Sequence, residues 1–320
     1  MAEPRLPPPL GPGDRVGVAA LSGPVDPDRL AAGLEALAGL GYEPVEAANL
    51  RSRTRLFAGR DHERLSAFHE LAADGGVRAI FFARGGHGVL RLLPHVDWEL
   101  LARYPRAYVG YSDLTPLLLG IVARLGLIAF HGPMVAADLA RGLRAEERES
   151  LRTALAGRYP VTMELEGGGC AAPGEGRLLG GCLSMLAATL GTPFAPELDG
   201  AILFLEELNE PLYRFDRMLT HLRLSGSLTR LRGMVVGHLS GMAESDPGEE
   251  YFEQDSREVL RDLAAEYDWP LAWGLPAGHV SPNLTLPLGM WARLDPRAGR
   301  LVVGSAEQSQ APPARSPGPA

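Results

Sequence analysis

Lysine is absent from this chain: every one of its 31 basic residues is an arginine. That excludes chemistry needing a lysine amine, namely Schiff bases, the Gly-Lys-Ser/Thr phosphate loop and Ser–Lys nucleophile pairs. Abundant Ala, Gly, Pro and Arg give the absence an ordinary compositional origin, but the exclusion holds either way. Cysteine is scarce as well. Cys170 and Cys182 are the only two, too few for a disulfide framework and without the spacing of a C-x-x-C redox or zinc pair. No stretch approaches the roughly 18 uninterrupted apolar residues of a membrane span. The first residues also lack a basic segment followed by an apolar one, so no secretory leader is expected and the protein reads as cytoplasmic. A net charge of −8 leaves no basic footprint for a polynucleotide, so neither nucleic acid nor membrane is an expected partner. Among eight histidines no pair has metal-ligand spacing such as His-Glu-x-x-His, and no metal or other cofactor is expected.

What is present is enough apolar material, 46% of 320 residues, for two packed cores. Residues 1–12 and 306–320 are proline-rich and short of large apolar side chains, and are expected to be disordered tails. From residue 13 to 157, short apolar runs (15–20, 79–83, 107–110, 127–130) alternate with helical patterns (28–40, 60–73, 98–103, 114–125, and two more between 135 and 156). That alternation predicts βαβ units, a parallel sheet and an α/β fold. The Gly-rich stretch around 166–177 marks a link, placed at 158–175, into a second unit over 176–305. There the pattern predicts helices at 183–190, 213–224 and 252–266, strands at 201–205 and 233–237, and a hairpin over 290–303. The acidic run 243–250 lacks the spacing of a calcium loop and reads as solvated surface.

Four segments could carry chemistry. In Ala107–Leu114 a strand runs through Gly-Tyr-Ser into a helix, a turn that can lift the Ser112 hydroxyl above the sheet edge and aim the Asp113 N–H at a developing oxyanion. The alternative is that Ser112 or Asp113 merely caps that helix, and the segment alone favours the cap because the final glycine of Gly-x-Ser-x-Gly is missing. Arg84-Gly85-Gly86-His87-Gly88 follows a strand and suits an anion-cradling or oxyanion loop, or an ordinary turn; it is not a dinucleotide fingerprint. The strand through Leu205 ends in Glu206 and Glu207, where a carboxylate could orient a histidine or simply face solvent. His279 sits in a Gly/Pro-rich loop, Gly274–Val280, rather than on a helix face. Ser112, Glu206 and His279 thus follow one another in the order nucleophile, acid, base, with the serine in one unit and its partners in the other.

These residues, with ordered short motifs over about 13–303, resemble the murein LD-carboxypeptidases, a serine peptidase family that includes the microcin C immunity peptidases. The motifs are Gly13–Val18, Ser22–Pro24, Arg84–Gly88, Leu92–Pro94, Gly110–Thr115, His131–Met134, Leu179–Leu183, Gly191–Pro193, Leu205–Glu207, Tyr213–Leu219, Gly278-His279 and Leu286–Gly289. The resemblance implies a Rossmann-like three-layer N-terminal domain, a second α/β domain and an active site between them. It carries the family's catalytic triad onto Ser112, Glu206 and His279, with backbone oxyanion donors at Asp113, Gly85 and Gly86. It implies hydrolysis of the amide between the L-centre of a diamino acid and a terminal D-alanine in murein tetrapeptides, so the expected partner is a small peptide, and beyond that at most a second copy of the chain. Cys182 stands where the family usually has Asn, and His87 where it usually has Tyr. A thiol cannot donate as an amide does. His87 would add a titratable charge beside the oxyanion loop. Without lysine the substrate carboxylate needs an arginine, for which Arg84 and Arg217 are the candidates. The immunity branch, which cleaves aminoacyl or peptidyl nucleotides, is the alternative; its longer aromatic-bearing insertion before the acid is missing, since 135–201 holds only Tyr159 and Phe194. A non-catalytic binding module is the third reading, opposed by the intact Ser, Glu and His.

Overall fold

The computed structural model describes residues 4–166, 172–241 and 253–304. Its first sheet is built from β1 (Arg15–Ala19), β2 (Glu43–Glu46), β3 (Val77–Phe82), β4 (Ala107–Gly110) and β5 (Ala129–His131), all parallel in the order β5-β4-β3-β1-β2. β4 and most of β3 are buried along their length, as expected where helices cover both faces of a parallel sheet. Those helices are α1 (Pro27–Gly39), α2 (Asp61–Ala73), α3 (Trp98–Arg103), α4 (Thr115–Leu125) and α5 (Ala145–Leu155). Helix α1 starts cleanly because the Asp26 carboxylate accepts from the Asp28 and Arg29 N–H groups and Pro27 occupies the first turn. Helix α4 is apolar nearly all round, with Leu117, Leu118, Leu119, Ile121 and Val122 buried. Such a helix must be enclosed. It lies between β4 and β5 on one side and elements of the second half on the other.

The second sheet comprises β6 (Val161–Glu164), β7 (Gly174–Cys182), β8 (Ala201–Leu208), β9 (Gly233–Ser240) and β10 (Leu271–Ala272), joined by β12 (Trp291–Asp295) and β13 (Arg300–Val303), in the order β10-β9-β8-β7-β12-β13-β6. β7 to β10 are parallel, and the hairpin β12–β13 and β6 close one side antiparallel. Helices α6 (Leu183–Thr189), α7 (Leu212–Leu224) and α8 (Glu253–Tyr267) belong to this half.

Three expectations differ from what is observed. Over its described part the opening segment is no free tail: the Arg5 N–H donates to Gly126 O at 2.9 Å, the Leu10 N–H to Leu155 O at 2.9 Å, and Leu10 is buried. A few backbone bonds and one anchored leucine are enough to order a proline-stiffened segment that loses little entropy. The stretch 158–175 is not merely a link, because β6 within it pairs with β13. Nor is 176–305 self-contained: β11 (Leu286–Leu288) crosses back to pair antiparallel with β5, Leu286 opposite His131. One apolar core accordingly runs through both halves, from Val16 and Phe82 to Leu186 and Leu203. The acidic run 243–250, Cys170 and the segment from 306 lie outside the described residues.

Candidate active site

Beyond the last residue of β4, Tyr111 is extended and Ser112 turns to φ +63°, after which a 3₁₀ turn (Ser112–Leu114) leads into α4. A positive φ is costly for any residue with a Cβ and is held here by its surroundings. It lifts the serine hydroxyl off the sheet's carboxyl edge. A Cβ on Gly85 would stand 3.0 Å from both Cβ and Oγ of Ser112, so a side chain there would press on the serine, whereas glycine lets the loop lie against it unshifted. Asp113 does not cap α4. Its buried Oδ2 accepts from the Ser22 hydroxyl at 2.6 Å and the Val89 N–H at 3.0 Å, tying the loop after β1 and the Gly-rich loop to the serine turn. Ser112 does not cap α4 either: no side chain serves that position.

Glu206 lies near the carboxyl end of β8, fully buried, where the register to β9 shifts by one residue. The extra residue in β9 is a β-bulge, the usual device for re-aiming a side chain. Glu206 Oε2 lies 2.8 Å from His279 Nδ1, and His279 Nε2 lies 3.1 Å from Ser112 Oγ. In the tautomer that satisfies all three, Nδ1–H donates to the carboxylate and Nε2 accepts from the hydroxyl. In that arrangement the imidazole can take the serine proton. Gly278, at φ +113°, precedes it; a Cβ there would come within 2.8 Å of Glu206 Oε2. The Tyr111 ring meets the imidazole edge-on at 5.0 Å. Burial alone would lower the His279 pKa, but the hydrogen bond and charge of Glu206, helped by Glu207 and Asp138, carry it above the usual imidazole value. Its neighbour His131 is fully buried and packed on Tyr111 and Phe204; burial, with the His279 charge, depresses it to about 3, so it stays neutral.

Ser112 and His279 open into a cavity of about 390 Å³ whose wall includes Gly85, Gly86, Arg84 and Arg29. Arg84 turns two N–H groups to the carbonyls of Gly85 and Pro24, bracing the loop as well as lining the cavity. Arg29 escaped the sequence reading. Its one signal is its place in the first turn after β1, at the carboxyl edge where α/β sheets hold ligands. The other sequence candidates lie elsewhere. His87 packs its ring on Phe57 at 5.7 Å, and Arg217 sits on α7 over Tyr213 at 5.1 Å, neither lining the cavity. Cys182 is buried, its Sγ 3.6 Å from the Glu207 carboxylate, and its thiol pKa is pushed up by burial and by Glu206 and Glu207. Glu207 accepts from the Ser184 and Leu208 N–H groups instead of facing the serine. Among the described residues no three His, Cys, Asp or Glu side chains gather as a metal site.

The sequence model for the LD-carboxypeptidase N-terminal domain matches residues 16–132, and that for the C-terminal domain matches 175–294. The chain belongs to the LD-carboxypeptidase family. Among its relatives is the murein tetrapeptide carboxypeptidase of Pseudomonas aeruginosa, 33% identical over 295 residues that cover 88% of this chain and 93% of the other. The crystal structure of muramoyltetrapeptide carboxypeptidase from Oxalobacter formigenes superposes with a TM-score of 0.82 at 32% identity, covering 91% of this chain and 99% of that one. The microcin immunity protein MccF in complex with glutamyl sulfamoyl guanosine, 25% identical, gives 0.85 over 94% and 98%. The two-domain α/β architecture is thus that of the LD-carboxypeptidases.

Proposed function

We propose that the protein is a serine LD-carboxypeptidase that removes the terminal D-alanine from murein tetrapeptides, cutting its amide to the L-centre of the diamino acid. The observation that carries this reading is the unbroken hydrogen-bonded chain from Ser112 through His279 to buried Glu206, opening into a cavity with two arginines. Ser112 Oγ attacks the scissile carbonyl as His279 Nε2 takes its proton, and Glu206 holds the ring and stabilises the imidazolium. The Asp113 N–H, in the first turn of a helical segment where no intrahelical carbonyl reaches it, is one oxyanion donor. Gly85 and Gly86 supply the others. The imidazolium then protonates the D-alanine amine, and water, deprotonated by the same base, resolves the acyl-enzyme. Arg29 and Arg84 are suited to the substrate's carboxylates. The reaction needs no cofactor, and the setting we assign is cytoplasmic murein recycling; among the described residues no helix is long and apolar enough to cross a membrane.

The test is D-alanine release from a muropeptide tetrapeptide by the purified protein and by Ser112→Ala. Release by the wild type with a loss of about a thousandfold or more in the variant is expected. No release, or equal release, overturns the assignment. An aminoacyl-sulfamoyl adenosine in the same assay tests the immunity-type activity. Against that activity, the one Tyr, Trp or Phe among the described residues that lines the cavity is Tyr111, whose ring is packed against His131 and His279 and is not left free to stack on a nucleobase.

A further inference from the structure

His279 rides on a loop that starts against the second sheet and ends in the first. Ahead of it, the bulge in β9 frees the His238 N–H to donate to Ala277 O at 3.0 Å; behind it, β11 pairs with β5. The loop closes on itself through Leu284 N–H to Pro276 O at 2.8 Å. Inside it lies Asn283, with no exposed surface. Its Oδ1 accepts at 3.0 Å from the N–H of Gly278, the residue immediately before the base. Its own N–H donates to Glu147 Oε1 at 2.8 Å. Glu147 is buried on α5, in the half that carries the serine, and is clamped there by Arg141 and by the Arg144 N–H at 2.7 Å.

Glu206 grips the imidazole at one nitrogen only, which fixes a distance but leaves a pivot. Gly278, with no side chain, offers little resistance to that pivoting. A second fixed point is needed, and among the described residues the one side chain that accepts from the Gly278 N–H is Asn283. We propose that Asn283 is a positioning residue for His279, carrying a fixed point on α5 of the serine-bearing half to the backbone that holds the base. The proposal rests on the reading of His279 as general base. It makes the alignment of nucleophile and base a property of one strut, Arg141–Glu147–Asn283–Gly278, that spans both halves.

The experiment uses the full chain and reads two things: the NMR titration of the His279 imidazole, which needs no substrate, and kcat and KM for D-alanine release. The groups that face this imidazole are Glu206 and Glu207 from β8, Asp138 beyond β5, Tyr111 beyond β4 and His131 on β5. Asn283→Leu keeps the volume and removes the acceptor. It is expected to lower the His279 titration by about half a pH unit or more and kcat by about tenfold or more, with KM within about twofold, since a misplaced base costs rate and not binding. Asn283→Asp keeps the acceptor and is expected to recover kcat to within about threefold, with the titration at or above that of the wild type. A role in folding alone would lower Tm in the leucine variant and leave both readouts unmoved, and that result overturns the proposal. If the leucine variant does not fold, Asn283→Ser, too short to reach Gly278 and roomy enough for water, is judged by the same two readouts. A His279 shift without D-alanine release from any variant or the wild type sinks the carboxypeptidase reading and leaves the positioning role standing.

Discussion

The φ of +63° at Ser112 puts a price on the reactive geometry that can be measured apart from catalysis. Alanine and serine share the Cβ clash in the left-handed region, whereas glycine does not. Ser112→Gly should therefore be more stable than Ser112→Ala by about 1 kcal/mol in denaturant unfolding, with both variants inactive. Equal stabilities would show that the turn is relaxed. His279 makes a second prediction at this scale. Its pKa is raised because Glu206 stabilises the imidazolium, and the proposed mechanism needs the neutral ring. Activity is then full above the folded-state value and lost as pH falls through it, so the acid limb of kcat/KM lies above the ordinary imidazole value of about 6.5. Stability runs the other way: the ion pair helps the fold fully below the unfolded-state value and its help is lost as pH rises through the folded one. Glu206→Gln should move the acid limb down while lowering kcat; an unmoved limb would mean that another group sets it.

Elements decide whether such residues meet, and here legibility from sequence was uneven. The strands and helix that carry Ser112 and Glu206 follow from unbroken apolar runs and turn residues, because β4 and β8 are buried apolar stretches ended by Gly-Tyr-Ser and by carboxylates and α4 is apolar nearly all round. The triad itself comes from chain order and family resemblance, since nothing in period or spacing shows that residues 73 and 167 positions apart come within hydrogen-bond reach. What stayed hidden is what depends on pairing. β6 and β11 are four and three residues long, too short to show a period, and exist because β13 and β5 offer them free edges. Arg29 and Asn283 look like ordinary polar residues until the sheets place them. The glycine before the base gives the element-scale test. Gly278→Ala drives a methyl into Glu206, so the loop must retreat, and a shift near 1 Å at the base costs about a hundredfold in rate. Steady-state kinetics should show that loss in kcat with KM little changed; a variant within a few-fold of wild type would mean that the loop can yield without moving the imidazole.

At the scale of the whole molecule, two sheets and a site between them suggest two bodies free to hinge, yet the chain is stitched across that division at several points. β11 leaves the second half to become a strand of the first sheet, Asn283 bonds to Glu147 on α5, Cys182 N–H donates to Thr115 at the start of α4, and one apolar core runs through both halves. Residues 13–157 alone would lack the partner strand of β5 and bare the outer face of α4, leaving an open sheet edge beside exposed leucines. Two folding units that share strands and core unfold together. Calorimetry of the full chain should thus give a single transition, with a van't Hoff enthalpy close to the calorimetric one, and a fragment ending at 157 should be insoluble or unfolded. Two resolved transitions, or a fragment with native-like unfolding of its own, would mean that the halves are independent and that the serine and its base are aligned by substrate binding instead of by the fold.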